Sequence, residues 1–397
     1  ESLFTATSAV TVTGLVVVDT GATYSVFGLT VLAVLIQAGG LGFMTFAVLA
    51  AMSLGGHVGL QHQLMAKEAM HQTSLANIGR TAKAVVSLAL TVEAVAVVGL
   101  TLTWWGDKGF VDALSEAVFY AISAFNSAGF VLSPNGLVDY ASSIPVNLIV
   151  SILFVIGGLG FSVITNIAEK RRWHDFSVYT RAILIATLII NVLSVAIIWL
   201  LEMNNPATFA NLSIGDQAMA AWFQATTPRS AGFNTVDTGA MTEASAVFTL
   251  LLMLIGGGSM STAGGIKLGT FIVLLVATYA FLRRREHVTL LNRTVPQEIV
   301  MKALAVTLVT LTLMFLGIFI LMILNPLPFI DITFEVLSAS ATVGLSRGIT
   351  ADVTAASQVV LVFLMFAGRV GPLTLAYFLA TPRKRHIRFP ETDIQVG

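Results

Sequence analysis

The sequence predicts an all-α polytopic membrane protein assembled from four pseudo-symmetric repeats, and three observations carry that prediction. The 397 residues are 56% hydrophobic and only 11% charged, where soluble domains run near 25% charged, and their mean hydropathy is +0.87. Several stretches stay apolar for the roughly 20 residues that a spanning helix needs. A short polar run ending in glycine and a bulky apolar residue occurs four times, as Thr11-Val12-Thr13-Gly14-Leu15, Asn126-Ser127-Ala128-Gly129-Phe130, Arg229-Ser230-Ala231-Gly232-Phe233 and Thr342-Val343-Gly344-Leu345. A glycine cluster follows each run, at Gly39-Gly40-Leu41-Gly42, Gly157-Gly158-Leu159-Gly160, Gly256-Gly257-Gly258-Ser259 and Gly368-Arg369-Val370-Gly371. The intervals are 25, 28, 24 and 24 residues, from 14 to 39, 129 to 157, 232 to 256 and 344 to 368. A spacing held that closely is a fourfold internal repeat.

Spanning helices are expected at Val31 to Met52, Ala82 to Trp104, Pro145 to Ile167, Thr180 to Leu201, Ala244 to Leu282, Ile299 to Leu324 and Gln358 to Ala380. Just before each run lies a shorter apolar segment, Ser2 to Val10, Phe110 to Phe125, Asp216 to Thr227 and Asp331 to Ala341. These are too short to cross a bilayer and too apolar for surface loops. They read as re-entrant half-helices, which are tolerated only where the backbone lines a cavity or is buried in protein. The repeats then occupy residues 1–66, 67–175, 176–290 and 291–397, the last with a cytoplasmic tail. The first lacks its opening helix, and a further ~20 apolar residues are expected before Glu1. The segment Ala244 to Leu282, at 39 residues, is too long for one straight span. Gly256 to Gly265 is expected to break it into two half-helices joined by a loop at membrane depth.

Orientation follows from the basic residues. Of the 21 Lys and Arg, 16 lie between one repeat and the next or after the last, from Lys67, Arg80 and Lys83 to Arg383, Lys384, Arg385 and Arg388. The positive-inside rule makes those connections cytoplasmic, so the half-helices enter from outside a cell (plasma or inner) membrane. Trp104, Trp105 and Trp199 at outer helix ends and Trp173 in an inner loop fit an aromatic belt. Acids from Asp19 and Asp107 to Glu202, Glu335 and Asp352 outnumber Lys108, Arg229 and Arg347 on the outer side, as an acidic vestibule that concentrates cations would require. No cysteine is present, which excludes disulfides and thiolate metal sites.

Asp112, Asp216 and Asp331 open their half-helices, where an acid suits the positive end of a helix dipole. The opposite, negative ends point at the membrane centre beside the glycine runs. Four backbone segments presenting carbonyls inward can replace the hydration shell of a cation. The fold expectation is therefore four helix–pore helix–helix repeats around one central ion pore. Its filter is expected at Thr13, Gly14, Ser127, Ala128, Gly129, Ser230, Ala231, Gly232, Thr342, Val343 and Gly344, with the ion held at Gly14, Gly129, Gly232 and Gly344.

The chain resembles the Trk/Ktr/HKT superfamily of potassium transporters over essentially its whole length, and among them the KtrB type of membrane subunit. The most specific stretch runs from Gly256 to Lys267, which is similar to the family's intramembrane gating loop. That resemblance implies a gate built from Gly256, Gly257, Gly258, Ser259, Ser261, Thr262, Gly264, Gly265 and Lys267. Its small hydroxyl-bearing residues also suit a flexible backbone that must find hydrogen-bond partners away from water. Relatives that favour sodium carry serine at the first filter position, so Gly14 implies potassium selectivity. Only the first and fourth runs approach the filter signature of true potassium channels, which implies fewer ordered ions.

Arg369 replaces glycine in the repeat alignment and puts a fixed positive charge inside a span. Intramembrane arginine costs at least ~2.5–3.5 kcal/mol and marks function by default. It is expected to project under the filter, bond to carbonyls of the broken third-repeat helix and add a barrier to cations. The family places a gating arginine here. Lys267 either contacts the loop or reaches toward the cytoplasm. Glu93 inside a span reads as a structural acid, and His57, His62 and His71 lack tight metal-ligand spacing.

The reading that follows is a potassium-translocating pore subunit of a Ktr-type uptake system, conducting passively, with no residue set for ATP hydrolysis. The alternative is a secondary transporter with a midplane substrate site at the broken third-repeat helix, and a non-conducting scaffold is the third class. No catalytic motif sits inside the spans, so an enzyme is not expected. The resemblance further implies a homodimer, sodium as activator, no covalently bound cofactor, no nucleic-acid partner, and control by a cytosolic ring of nucleotide-binding KtrA-type subunits. The bilayer and the ions are the remaining partners.

Overall fold

The structure, a computed structural model, describes residues 1–42 and 78–371. The expected continuation of the first span to Met52, the residues His57, His62, Lys67 and His71, and the tail with Arg383, Lys384 and Arg385 lie outside them. The four apolar half-segments are helices α1 (Ser2–Val10), α4 (Phe110–Phe125), α8 (Ile214–Thr226) and α12 (Phe329–Ser340). Asp112, Asp216 and Asp331 stand in the first turns of the last three, and Ser213 caps α8 by accepting the N–H of Asp216. Among the described residues, three helices are long and apolar enough to cross a membrane: α3 (Ile78–Lys108, apolar from Lys83), α7 (Val178–Glu202) and α11 (Gln297–Leu324). Their outer faces leave large apolar side chains uncovered, among them Leu188 and Leu200 on α7 and Phe315 and Ile323 on α11. A bilayer, not water, is the solvent such faces require.

The second helices of the first, second and fourth quarters end sooner than the sequence suggests, and this corrects the expectation of a break in the third alone. The second helices of the four quarters are α2 (Val26–Gly40), α5 (Ile144–Leu159), α9 (Glu243–Leu254) and α13 (Ala355–Val370). Gly42, Gly160 and Gly371 follow at φ of 83°, 96° and 93°, each three residues beyond the first glycine of its cluster. The expected single span Pro145 to Ile167 is thus two helices, α5 and α6 (Phe161–Lys170), bent by 92°. In the third quarter, residues 255–267 separate α9 from α10 (Leu268–Leu282). Strands β1 (Thr289–Leu290) and β2 (Arg293–Thr294) form a two-residue-turn hairpin, a small departure from the all-α expectation.

The half-helices alternate with the second helices in a closed circle. α1 packs on α2 and on α13 from the far end of the chain, α4 on α2, α3 and α5, α8 on α5 and α7, and α12 on α9, α11 and α13. The apolar residue after each run glycine, Leu15, Phe130, Phe233 and Leu345, is buried behind the circle.

The expected acidic vestibule and aromatic belt are partly corrected. Glu202 is buried and accepts from Asn205, Thr208 and both the N–H and the hydroxyl of Thr242, so it ties the segments after α7 and before α9 together. Glu335 is buried likewise and accepts from Ser346 and Thr350. Glu116 pairs with Lys108 at 2.5 Å and Asp331 with Arg347 at 2.6 Å. Trp104 is buried between Tyr120 and Tyr140. Arg229 is part-buried and bonds to Asn191, so it is not a free surface charge.

Candidate functional site

Each half-helix ends with the same backbone signature. At Val12, Ser127, Ser230 and Thr342 the chain enters the left-handed region, with φ of 50°, 56°, 87° and 48°. Two residues later Gly14, Gly129, Gly232 and Gly344 do so again, at 93°, 68°, 75° and 94°. A non-glycine residue held at positive φ costs on the order of 1–3 kcal/mol and clusters at functional sites; for a β-branched residue such as Val12 it is a true outlier. In the first, second and fourth runs the residue between donates its N–H five positions back, Thr13 to Ser8, Ala128 to Ser123 and Val343 to Ser338, each at 2.8 Å. That bond is a Schellman closure of the helix end. The third run is different: Pro228 stands immediately before it, and Ala231 N–H instead reaches Thr227 at 2.9 Å.

The four glycines abut in a ring. A methyl group on Gly14 would overlap the Ala128 carbonyl oxygen, one on Gly232 that of Val343 and one on Gly344 that of Thr13, while one on Gly129 would stand 3.0 Å from that of Ala231. These contacts run from the first run to the second, second to third, third to fourth, and fourth back to first. The runs that follow the negative ends of four half-helices therefore meet in one ring.

Hydroxyls behind the ring hold it. Ser8 and Ser338 accept the N–H groups of Gly14 and Gly344, both at 3.0 Å. Ser123 and Thr227 donate to the carbonyls of Phe130 and Phe233, at 2.8 and 2.7 Å. Asn126, one residue before the left-handed Ser127, donates to Gln37 at 2.8 Å and to Glu93 at 3.2 Å. Glu93 is buried on α3 and also accepts from Gln37 at 3.3 Å. Arg229 occupies the place in the third run that Asn126 takes in the second. It donates to Asn191 in the middle of α7 at 2.9 Å, and its buried Nε has no partner. Sequence reasoning assigned no role to Ser8, Val12, Asn126 or Ser338: Asn126 acts through the chain-distant Gln37 and Glu93, while Ser8 and Ser338 each close a bond only six residues along the chain.

Glycine clusters explain the constant interval of the repeat. A methyl group on Gly39 would overlap the carbonyl oxygen of Val10, on Gly157 that of Phe125 and on Gly368 that of Ser340, each the last turn of its own half-helix. The second helix can cross there only without a Cβ. In the third quarter Gly256 meets the Gly264 carbonyl instead, because the chain has left the helix.

Loop 256–265 is pinned at both ends and in the middle. At its base, Gly256 N–H donates to Ile266 and Leu268 N–H to Gly257. The broken α5 supplies partners: Gly258 and Thr262 N–H donate to the Gly158 and Gly157 carbonyls at 2.8 and 3.2 Å, and Phe161 N–H at the start of α6 donates to Met260 at 2.9 Å. Two helices interrupted at one depth thus satisfy each other's orphan groups. Ser259 N–H bonds to the Tyr179 hydroxyl at 2.7 Å. Thr262 and Ser127 share a hydroxyl bond of 3.0 Å, and Gly264 N–H donates to the Ser230 hydroxyl at 2.9 Å. Ser261 Oγ is buried without a partner.

Arg369, on the last turn of α13, reaches across the axis region. Its Nη1 donates to the Thr262 carbonyl at 2.5 Å, and its Nη2 donates to the carbonyls of Gly39, and of Gly40 at 3.2 Å. Lys267 donates to the Ala263 carbonyl. The residues singled out from sequence therefore lie together as two layers, the glycine ring and the loop against it, with the two cations anchoring the loop.

Residues 1–386 match the TrkH family, described as cation transport protein. The chain is 44% identical over 397 residues to the Ktr system potassium uptake protein B of Bacillus subtilis, covering 100% of this chain and 89% of that protein. It is 30% identical over 404 residues to the potassium/sodium uptake protein NtpJ of Enterococcus hirae, with 100% and 89% coverage. The crystal structure of the potassium transporter TrkH from Vibrio parahaemolyticus superposes with a TM-score of 0.76 at 22% identity, over 94% of this chain and 76% of that one.

Proposed function

The chain belongs to the TrkH family of cation transport proteins, and from that premise we propose that it is the pore-forming membrane subunit of a Ktr-type potassium uptake system. It is a multi-pass membrane protein of a transport family and not an enzyme. The observation that carries the proposal is the ring in which Gly14, Gly129, Gly232 and Gly344 each lean on a carbonyl of the next run. Backbone carbonyls from four segments are the ligands that replace the hydration shell of potassium. Residues Thr13, Gly14, Ser127, Ala128, Gly129, Ser230, Ala231, Gly232, Thr342, Val343 and Gly344 form the filter, and K+ is held at the level of the glycines.

Loop 256–265 is the gate, seated against the inner face of the filter and fixed there by Arg369 and Lys267. Flux is passive and follows the electrochemical gradient, with ~2.3 kcal/mol per charge per 100 mV favouring entry at an inside-negative potential. The basic connections face the cytoplasm, where a KtrA-type nucleotide-binding ring docks. The subunit acts as a homodimer, and sodium activates it. The name of the Enterococcus hirae relative, a potassium/sodium uptake protein, agrees with a role for both ions.

A secondary transporter would be built from inverted repeats. Here the C-terminal ends of all four half-helices lead into runs that meet in one ring, which favours the pore. The test is rubidium and sodium uptake into cells that lack their own potassium uptake systems, comparing the unsubstituted protein with Gly14→Ser. The serine Cβ would overlap Ala128 O at a φ of +93°, so the ring must open and the preference for rubidium should fall at least about tenfold, or 1.4 kcal/mol. Uptake of neither ion, with the cytosolic partner supplied, would overturn the pore reading and favour a scaffold.

A further inference from the structure

Ser230 differs from its three counterparts in what its side chain does. Val12 carries no hydroxyl, Ser127 bonds only to the Thr262 hydroxyl, and Thr342 Oγ1 has no partner. Ser230 Oγ accepts the N–H of Gly264 from the loop at 2.9 Å and donates to the Thr342 carbonyl of the neighbouring run at 2.8 Å. The odd backbone of the third run makes this possible. With Pro228 in place and φ of 87° at Ser230, the hydroxyl sits between a loop amide and a carbonyl of the fourth run. It is 1% exposed, so water does not compete for either bond.

We infer that Ser230 is a positioning residue that couples ion occupancy at the inner end of the filter to the seating of the loop. The inference rests on the pore reading and deepens it. While the loop is seated, the Thr342 carbonyl gives one of its two lone pairs to the hydroxyl and is held toward Ser230. An ion at the inner end draws that carbonyl to itself. The hydroxyl then loses its acceptor, and the bond it accepts from Gly264 loses the reinforcement that a chain of hydrogen bonds supplies. The loop is held less firmly. Linkage requires the reverse effect of equal size: a displaced loop frees the carbonyl and tightens ion binding. Arg369 and Ser127 hold the loop too, but neither touches a carbonyl of a neighbouring run, so neither carries the coupling.

None of the 397 residues is cysteine, so Ser261→Cys introduces a single thiol at a buried hydroxyl that makes no bond. The experiment measures the rate at which a water-soluble thiol reagent modifies this protein in proteoliposomes, in potassium and in N-methylglucamine. Rubidium uptake by the unsubstituted protein is measured in parallel. Potassium should accelerate modification severalfold. Adding Ser230→Ala should raise the rate in N-methylglucamine roughly three- to tenfold, the effect of one or two lost hydrogen bonds, and abolish the potassium response. Adding Ser127→Ala should raise the basal rate and leave the potassium response in place. Adding Ser230→Thr, which keeps the hydroxyl, should restore the response. A potassium response that survives Ser230→Ala, or one that is absent from the Ser261→Cys protein while rubidium uptake is normal, would overturn the coupling alone. No rubidium uptake by the unsubstituted protein would overturn the pore reading and the coupling with it.

Discussion

Replacing Arg369 with alanine removes three hydrogen bonds, of which one holds loop 256–265. The guanidinium bonds to the Thr262 carbonyl in the loop and to the Gly39 and Gly40 carbonyls at the end of α2. A hydrogen bond to a charged group is worth ~1.5–3 kcal/mol net. Loss of the loop bond therefore shifts the balance between seated and displaced loop by roughly ten- to a hundredfold. The lost bonds at α2 weaken the fold, but removing a buried guanidinium also removes ~2.5–3.5 kcal/mol of insertion cost. The two nearly offset, so membrane abundance should hold. Lysine is no substitute, since a single ammonium cannot span carbonyls on two elements with fixed fork geometry. The assay is the initial rate of rubidium uptake in cells without their own potassium uptake, normalised to abundance in the membrane fraction. Uptake should rise about tenfold or more where the seated loop limits flux, and Arg369→Lys should fall between. Unchanged or lower uptake at normal abundance would refute the assignment of Arg369 to the gate.

Adjacent glycines on α5 should behave in opposite ways. Gly157→Ala drives a Cβ into the Phe125 carbonyl and should cost ~1–3 kcal/mol as an overpacked contact, whereas nothing lies within 4 Å of a Cβ on Gly158. Gly158→Ala should be neutral or stabilise by up to about 1 kcal/mol, and equal melting temperatures in detergent for the two variants would contradict the packing argument. Asn191→Leu strands the Arg229 guanidinium and should destabilise by ~1.5–3 kcal/mol. The double variant Asn191→Leu/Arg229→Met should lose less than Asn191→Leu alone, so strictly additive losses in a double-mutant cycle would sink the pairing.

The half-helices and their glycines were legible because both signals are local. An apolar segment of half the spanning length followed by a residue that alone tolerates φ near +90° can be read without knowing any neighbour. The cluster intervals were visible as pattern, but their cause, a helix crossing the carbonyl end of its own half-helix, needs the fold. Breaks at Gly42, Gly160 and Gly371 were hidden because glycine is common in intact membrane helices, and only the bonds from Gly258, Thr262 and Phe161 reveal why α5 stops. Val12 shows the limit most plainly. Its β-branched side chain argues locally against positive φ, and the ring over-determines it. Arg229 was counted among the outer charges from its place in the repeat, and its bond to Asn191, far away in sequence, needs the fold to be seen.

The circle of helices also bears on how such a protein is made. α1 rests on α13, and Gly344 completes the ring by meeting Thr13, so the first run waits for the fourth. A nascent chain held on the ribosome before that point has three runs and an open side. It offers ions no continuous set of carbonyls. The ring of carbonyls does not exist until the fourth run has been made.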